Sequence, residues 1–291
     1  MTLLANTTEW LNSNAEVAAA VVFGSASRSS NSNAVKAHDI DLHLVISSER
    51  AITATDWEST FPHDGFCLAV HRPASGGVSK ITVLFLSGQL DLVLVPKLPL
   101  MEVSRRFYNN ENASDPSLTA ALNEMATCLH SGYFFIKGEE VWAPFYKDVA
   151  LLPGVRLSND DLCTLADCFL ADALWVAQKA TSGEIIAAQN ALHCKLSSCC
   201  LRLYREFKLR RGERLLSFGL GRHVESMESP EILPSLTINA NAEDFAIKRE
   251  CQKTLNTVSV LMTSMGIKWV PSLSAAKLLA NSGIYLNPTA R

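Results

Sequence analysis

The sequence predicts an α+β fold: a mixed β-sheet domain followed by an all-α helical bundle domain. Three observations predict it. Short β-prone apolar runs recur between Val21 and Val95. The composition changes at Pro153-Gly154. Beyond that point apolar residues recur at spacings of three and four, over stretches too long for strands. The 291 residues suit one large domain or two smaller ones, and we divide them into 1–150 and 151–291. The functional site is expected in the cleft between the two.

Thr7 to Ala19 has the pattern of an amphipathic helix, with Trp10, Leu11, Val17 and Ala18 on its apolar side. A strand at Val21–Phe23 follows and ends at Gly24-Ser25. Ala26 to Ala37 is rich in Ser and Asn and carries Arg28 and Lys36, so it is a polar loop. His38–Ile46 predicts the next strand. Phe66–Val70 and Ile81–Leu86 predict two more, joined by a loop through Pro73 and Gly76-Gly77. Ser87-Gly88-Gln89 turns the chain into a strand at Leu90–Val95, and Pro96 and Pro99 close the unit. The sum is a mixed sheet of about five strands with at least one helix against it. Ser117–Leu129 predicts a helix and Tyr133–Ile136 a short strand or turn.

In the second half, Ser158-Asn159-Asp160-Asp161 has the form of a capping box. The helix it opens places Leu162, Leu165, Ala166, Phe169, Ala173, Val176 and Ala177 on one face. Thr181-Ser182-Gly183 breaks it. A second helix is predicted from Glu184 to about Arg210, stopped by Gly212. A third runs from about Ala242 to Met265, stopped by Gly266, and a fourth covers Ser274–Asn281. Antiparallel packing of these makes a bundle.

The net charge of -3 argues against a nucleic-acid binder that relies on a broad basic surface. No stretch is long and apolar enough to span a membrane, and no secretory signal opens the chain. Eight cysteines are present, most at apolar positions in helical stretches. None forms a Cys-x-x-Cys pair with a matching partner, which argues against zinc. Reduced cysteines in a cytoplasmic protein are expected.

Chemistry concentrates in the strand His38-Asp39-Ile40-Asp41-Leu42. Residues i and i+2 of a strand share a face, so Asp39 and Asp41 project together while Ile40 and Leu42 face the other way. Paired carboxylates repel unless a cation lies between them, and oxygen ligands of this kind suit Mg²⁺. Asp91 is one charge in an apolar strand, costly without a partner. On a neighbouring strand it completes a three-carboxylate site for two Mg²⁺ ions; alternatively it pairs with Lys80 or Lys97. Gly24-Ser25 lets backbone N–H groups and a hydroxyl approach an anion. Arg28 and Lys36 could reach a triphosphate, or stand as solvated charges.

At Gly24-Ser25, Asp39-Ile40-Asp41 and Asp91 the chain resembles the nucleotidyltransferases of the DNA polymerase beta superfamily. The helical half, with Trp175-Val176-Ala177-Gln178, Gly183-Glu184-Ile185, Leu201–Glu206 and Ser217–His223, is similar to the streptomycin-type aminoglycoside adenylyltransferases, as is Phe85–Leu92. It departs from them at Gln178 (Lys in the family), Gly183 (Arg) and Arg222 (Lys). The resemblance implies a nucleotidyltransferase domain at 1–150 and transfer of AMP from ATP to a hydroxyl of an aminoglycoside-like small molecule, an antibiotic-resistance chemistry. It implies Asp39, Asp41 and Asp91 as metal-binding and catalytic residues and Gly24-Ser25 at the nucleotide; Arg28 and Lys195 are further candidate nucleotide contacts read from their charge and position. A polycationic acceptor needs acidic groups, and Asp172, Glu184 and Asp167 are candidates.

Glu184 is a candidate general base or substrate anchor, and equally a helix-start Glu favoured by the dipole. Trp175 could stack on the substrate or fill a core. Lys195, Arg202 and Arg205 could face phosphates or line a solvated face. The competing readings are a protein hydroxyl as acceptor, as in antitoxin-type adenylyltransferases, a second nucleotide as acceptor, and a non-catalytic nucleotide-binding module of the same fold. The acceptor, the nucleobase and the oligomeric state are not given by the sequence.

Overall fold

The first helix, α1 (Leu3–Ser13), is capped by Thr2, whose hydroxyl accepts from the Ala5 N–H, and Asn14 ends it. It starts and stops earlier than the sequence suggests. Val17 and Ala18 belong instead to strand β1 (Val17–Phe23). The reason is tertiary. Val17, Ala19, Ala20, Val21 and Val22 are all at most 1% exposed, buried on both faces of an inner strand, and this outweighs the helical preference of three consecutive alanines. The computed structural model describes residues 2–28, 39–74, 77–213 and 236–285.

A helical turn, α2 (Ser25–Arg28), follows β1, and β2 spans Asp39–Ile46. Two short helices, α3 (Glu49–Thr53) and α4 (Trp57–Thr60), lead to β3 (Phe66–Pro73), β4 (Ser79–Phe85) and β5 (Gly88–Pro96). The unit does not close at Pro96 and Pro99. The chain runs straight into α5 (Lys97–Tyr108). Pro99 falls in the first turn, where no N–H has an intrahelical partner to lose. Then come α6 (Pro116–Leu129), capped by Asp115, β6 (Tyr133–Lys137) and α7 (Glu139–Val149).

The six strands form one mixed sheet in the order β3-β4-β5-β2-β1-β6. Only the β2–β5 pair is parallel among the described strands. β6 is a full strand, which makes six where about five are expected. Alternation divides the sheet into two buried faces. Ile40, Leu42, Leu44 and Leu92 pack with Leu11, Trp57 and Phe61 on one. Val21, Val45 and Val95 pack with residues of α5, α6 and α7 on the other.

The chain divides into two compact units, Met1–Val155 and Arg156–Arg291. In the second, Ser158 and Asp161 form the capping box that opens α8 (Asn159–Thr181). The predicted helix from Glu184 to Arg210 is interrupted. It comprises α9 (Ile185–Ala191), a π-helical turn at Leu192–Leu196 and α10 (Ser197–Arg210). Next come α11 (Asp244–Ser264) and α12 (Leu273–Asn281). Phe169, Val176, Leu192, Leu203 and Leu255 belong to one core. Buried Glu206 accepts from Arg156, Arg210 and the Leu157 N–H. The mixed sheet with its helices, followed by an all-helical region, matches the predicted fold class. No helix among the described residues is long and apolar enough to cross a membrane.

Candidate functional site

The parallel β2–β5 ladder sets the site's geometry. Asp41 pairs with Asp91 across it, and Asp39 with Gln89. Partners in register point to the same side, so Asp39, Asp41 and Asp91 share one face. All three are half-buried. Further along that face Val45 and Val95 disappear into the core with α5, α6 and α7.

Gly24 backs Asp41. It has φ +71°, and a Cβ there would stand 2.6 Å from Asp41 Oδ2. The glycine therefore meets two demands, a left-handed backbone and room for a carboxylate.

Asp91 has two close partners. Lys80 Nζ donates to its Oδ2 at 2.6 Å, and the Thr82 hydroxyl donates to its Oδ1 at 2.6 Å. Of the two lysines suggested by the sequence as partners for Asp91, the structure selects Lys80. Thr82 was not foreseen, but the signal was present. A two-residue turn at Leu86-Ser87 pairs Phe85 with Gly88 and hence Thr82 with Asp91. Among the described residues no group of three or more His, Cys, Asp or Glu side chains converges to hold a metal ion. Asp39 and Asp41 still offer the hard oxygen donors that Mg²⁺ takes together with substrate phosphates.

Deeper on the same face, His43 Nδ1 and the Tyr146 hydroxyl lie 2.5 Å apart. Burial lowers the His43 pKa to about 4 and raises that of Tyr146, so both are neutral at pH 7. Burial first, then the charges of Asp41 and Glu124, push the Cys128 thiol up to about 11. Neither His43 nor Tyr146 was singled out from the sequence.

The helical unit gathers the other candidates. Trp175 is 40% exposed. Lys179 Nζ and Lys195 Nζ lie 5.7 and 5.8 Å from its ring centroid. Lys195 also donates to Asp172 at 2.8 Å, and Lys179 to Glu184 at 2.6 Å. The π-helical turn carries Lys195, a distortion common where side chains are presented for function. The Lys179 hydrogen bond holds the Glu184 carboxyl below its usual range. Asp167 accepts from the Trp269 indole N–H. The side chains of Ser25 and Arg28, and the segments containing Lys36 and Ser217–His223, lie outside the described residues.

No protein-family model matches the chain, and neither does any curated protein. Among solved structures it is similar to an aminoglycoside 6-adenyltransferase from Bacillus subtilis, with TM-score 0.36 and 12% identity, over 99% of this chain and 92% of that one. It is also similar to a nucleotidyltransferase-like protein from Exiguobacterium sibiricum 255-15, with TM-score 0.31 and 13% identity, over 94% of this chain and 75% of that one. Both likenesses are distant.

Proposed function

We propose that the chain is a Mg²⁺-dependent nucleotidyltransferase that moves a nucleoside monophosphate, AMP from ATP, to a hydroxyl of a small aminoglycoside-like acceptor. The observation that carries this reading is the parallel register of Asp41 with Asp91, with Asp39 on the same face. Asp39 and Asp41 would hold the metal, which when bound neutralises charge on the triphosphate. Gly24 and Ser25 would bring backbone N–H groups to the phosphates, and Arg28 would add charge. Asp91 would orient the acceptor hydroxyl. The acceptor hydroxyl would give up its proton to water as its oxygen bonds to the α-phosphorus, the bond from that phosphorus to the bridging oxygen would break, and pyrophosphate would leave.

Trp175, Asp172 and Glu184 offer an aromatic face and two carboxylates, a set suited to a polycation. Each carboxylate would exchange its lysine for an amino group of the acceptor. Glu184, held by Lys179 until the acceptor binds, would serve as acceptor anchor or as general base. Lys195, engaged by Asp172, becomes available to phosphate only when that pair opens. The eight free cysteines fit a reducing cytoplasm.

Incubation with labelled ATP, Mg²⁺ and a panel of aminoglycosides tests the reading. Pyrophosphate release and an acceptor mass gain of one AMP are expected. The Lys80–Asp91 pair favours one second reading, in which Asp91 is structural and the chain only binds nucleotide. ATP binding without pyrophosphate release for any acceptor would select it.

A further inference from the structure

The sheet has two edges, and they are built differently. β3, at one, ends in His71-Arg72-Pro73, all exposed. Charged side chains and a proline keep a further strand from adding to an edge. β6, at the other, lacks that protection. Its one charged residue, Lys137, is turned inward, and its Nζ donates to the Leu11 and Asn14 carbonyls at the end of α1, at 3.0 and 2.7 Å. Tyr133, Phe134 and Phe135 are only half-buried. Among the described residues no strand pairs with the outer side of β6. Ala20 pairs with Lys137 and Val21 with Phe135, so a bulge at Ile136 blunts the far end and leaves Tyr133–Phe135 regular.

A groove of about 680 Å³ runs between β6 and α7, lined by Tyr133, Phe134, Phe135 and Pro144, with Glu139 and Lys147 at its ends. Chain direction fixes which end is which. Gly138, at φ +75°, turns the chain, and α7 runs back so that Tyr146 lies against Phe135 and Tyr133. Glu139 therefore stands at the C-terminal end of β6 and Lys147 at its N-terminal end. Both are exposed and enter no ion pair among the described residues. Asp148, beside Lys147, accepts from the Tyr108 hydroxyl.

We propose that β6 is the seam of a homodimer: a second copy adds its own β6 antiparallel, across a two-fold axis at Phe134. The charges select this occupant. Antiparallel addition sets the C-terminal end of one β6 against the N-terminal end of the other. Glu139 of each copy then meets Lys147 of the other, twice, as a two-fold interface requires. Tyr133 comes opposite Phe135 of the second copy on the α7 side of the sheet. Val141, 66% exposed, and Pro144 gain cover from the second α7. The outward N–H and C=O groups of Tyr133–Phe135 find main-chain partners.

Sedimentation of the full chain across a dilution series, at low ionic strength where surface charge is least screened, reads the dissociation constant. Amide exchange on the same samples locates the seam. The wild type should dimerise, and exchange at Tyr133–Phe135 should slow as concentration rises while β3 is unchanged. Glu139→Lys and Lys147→Glu each set two like-charge pairs across the seam and should weaken the dimer on the order of tenfold. Mixing the two variants makes both pairs opposite in sign, so heterodimers should form at wild-type strength. The double variant Glu139→Lys with Lys147→Glu should recover its own dimer. A monomer at every concentration overturns the proposal. So does a dimer that the single variants leave unchanged or that mixing fails to restore. Protection of Tyr133–Phe135 that is independent of concentration overturns it too, since the edge is then covered within one chain.

Discussion

Asp41 depends on the absence of a side chain at position 24. Gly24→Ala forces an L residue to φ +71° and sets a methyl 2.6 Å from the carboxylate. The backbone strain costs about 1 kcal/mol, a loss of a few degrees in Tm. Displacing the carboxylate should cost far more in rate, about a hundredfold. Paired measurements of Tm and turnover check this, and a variant with normal turnover would show that Asp41 is not needed where it stands. Asp91 separates two roles in a similar way. Asp91→Asn removes the charge that faces Lys80, leaving the ammonium poorly matched at a cost of about 1–2 kcal/mol in stability. If Asp91 also serves the reaction, turnover should fall by a further factor corresponding to about 3–5 kcal/mol of transition-state stabilisation, with much of the ATP affinity kept. Tm, ATP affinity and turnover on one preparation decide it: lost stability with preserved turnover rules out a role in the reaction.

At the level of elements, strands were easier to read than boundaries. The alternation in β2 made the Asp39–Asp41 face legible, because period is a local property; the turn expected at Ser87-Gly88-Gln89 lies instead at Leu86-Ser87, where Phe85 pairs with Gly88. The start of β1 was not legible, since its alanines suit a helix and only burial from both sides decides the matter. The sequence pattern also contains α7, for which no helix is expected above. Trp142, Phe145, Tyr146 and Val149 are all buried, a spacing of three, four and seven, and Pro144 obscured it. Without α7 the partner of His43 is not legible, because Tyr146 joins α7 to β2. The pair gives the sheet unit a pH dependence whose sign is fixed. The pKa of His43 falls from 6.5 to about 4 in the fold, so below about 6.5 the unfolded chain takes a proton that the folded chain refuses. The His43 contribution is full above about pH 6.5, is lost toward pH 4 by about 3 kcal/mol, and changes no further below that. Urea unfolding at pH 7, 5.5 and 4 should show this decline in the wild type and a smaller one in His43→Asn; parallel curves would contradict it. In the helical unit, Glu206 is 2% exposed between Arg156 and Arg210. Glu206→Gln removes the charge that pairs with both guanidiniums and should cost about 3 kcal/mol by urea unfolding.

On the scale of the whole molecule, the two units draw their cores from their own residues. Met1–Val155 buries apolar side chains on both faces of its sheet. Among the described residues of Arg156–Arg291, one apolar cluster is buried between the helices. A chain of this kind need not unfold as one two-state body, and cooperative sub-units open at their own free energies. Leu203 is 0% exposed in the helical cluster, so Leu203→Ala removes packed carbon atoms where the surroundings cannot collapse fully, at a cost of about 3 kcal/mol. If each core stabilises its own unit, the loss should stay local. Amide exchange should then accelerate on the order of a hundredfold through α8, α10 and α11, while β1, β2 and β5 keep wild-type protection. Equal acceleration in the sheet would mean that the whole chain opens together and that the cores act as one. The difference bears on the proposed site. The Asp39, Asp41 and Asp91 face belongs to the sheet unit alone, so with local loss the metal-binding part of the site should survive Leu203→Ala, and Mn²⁺ uptake in the presence of α,β-methylene-ATP should be unchanged in the same preparation.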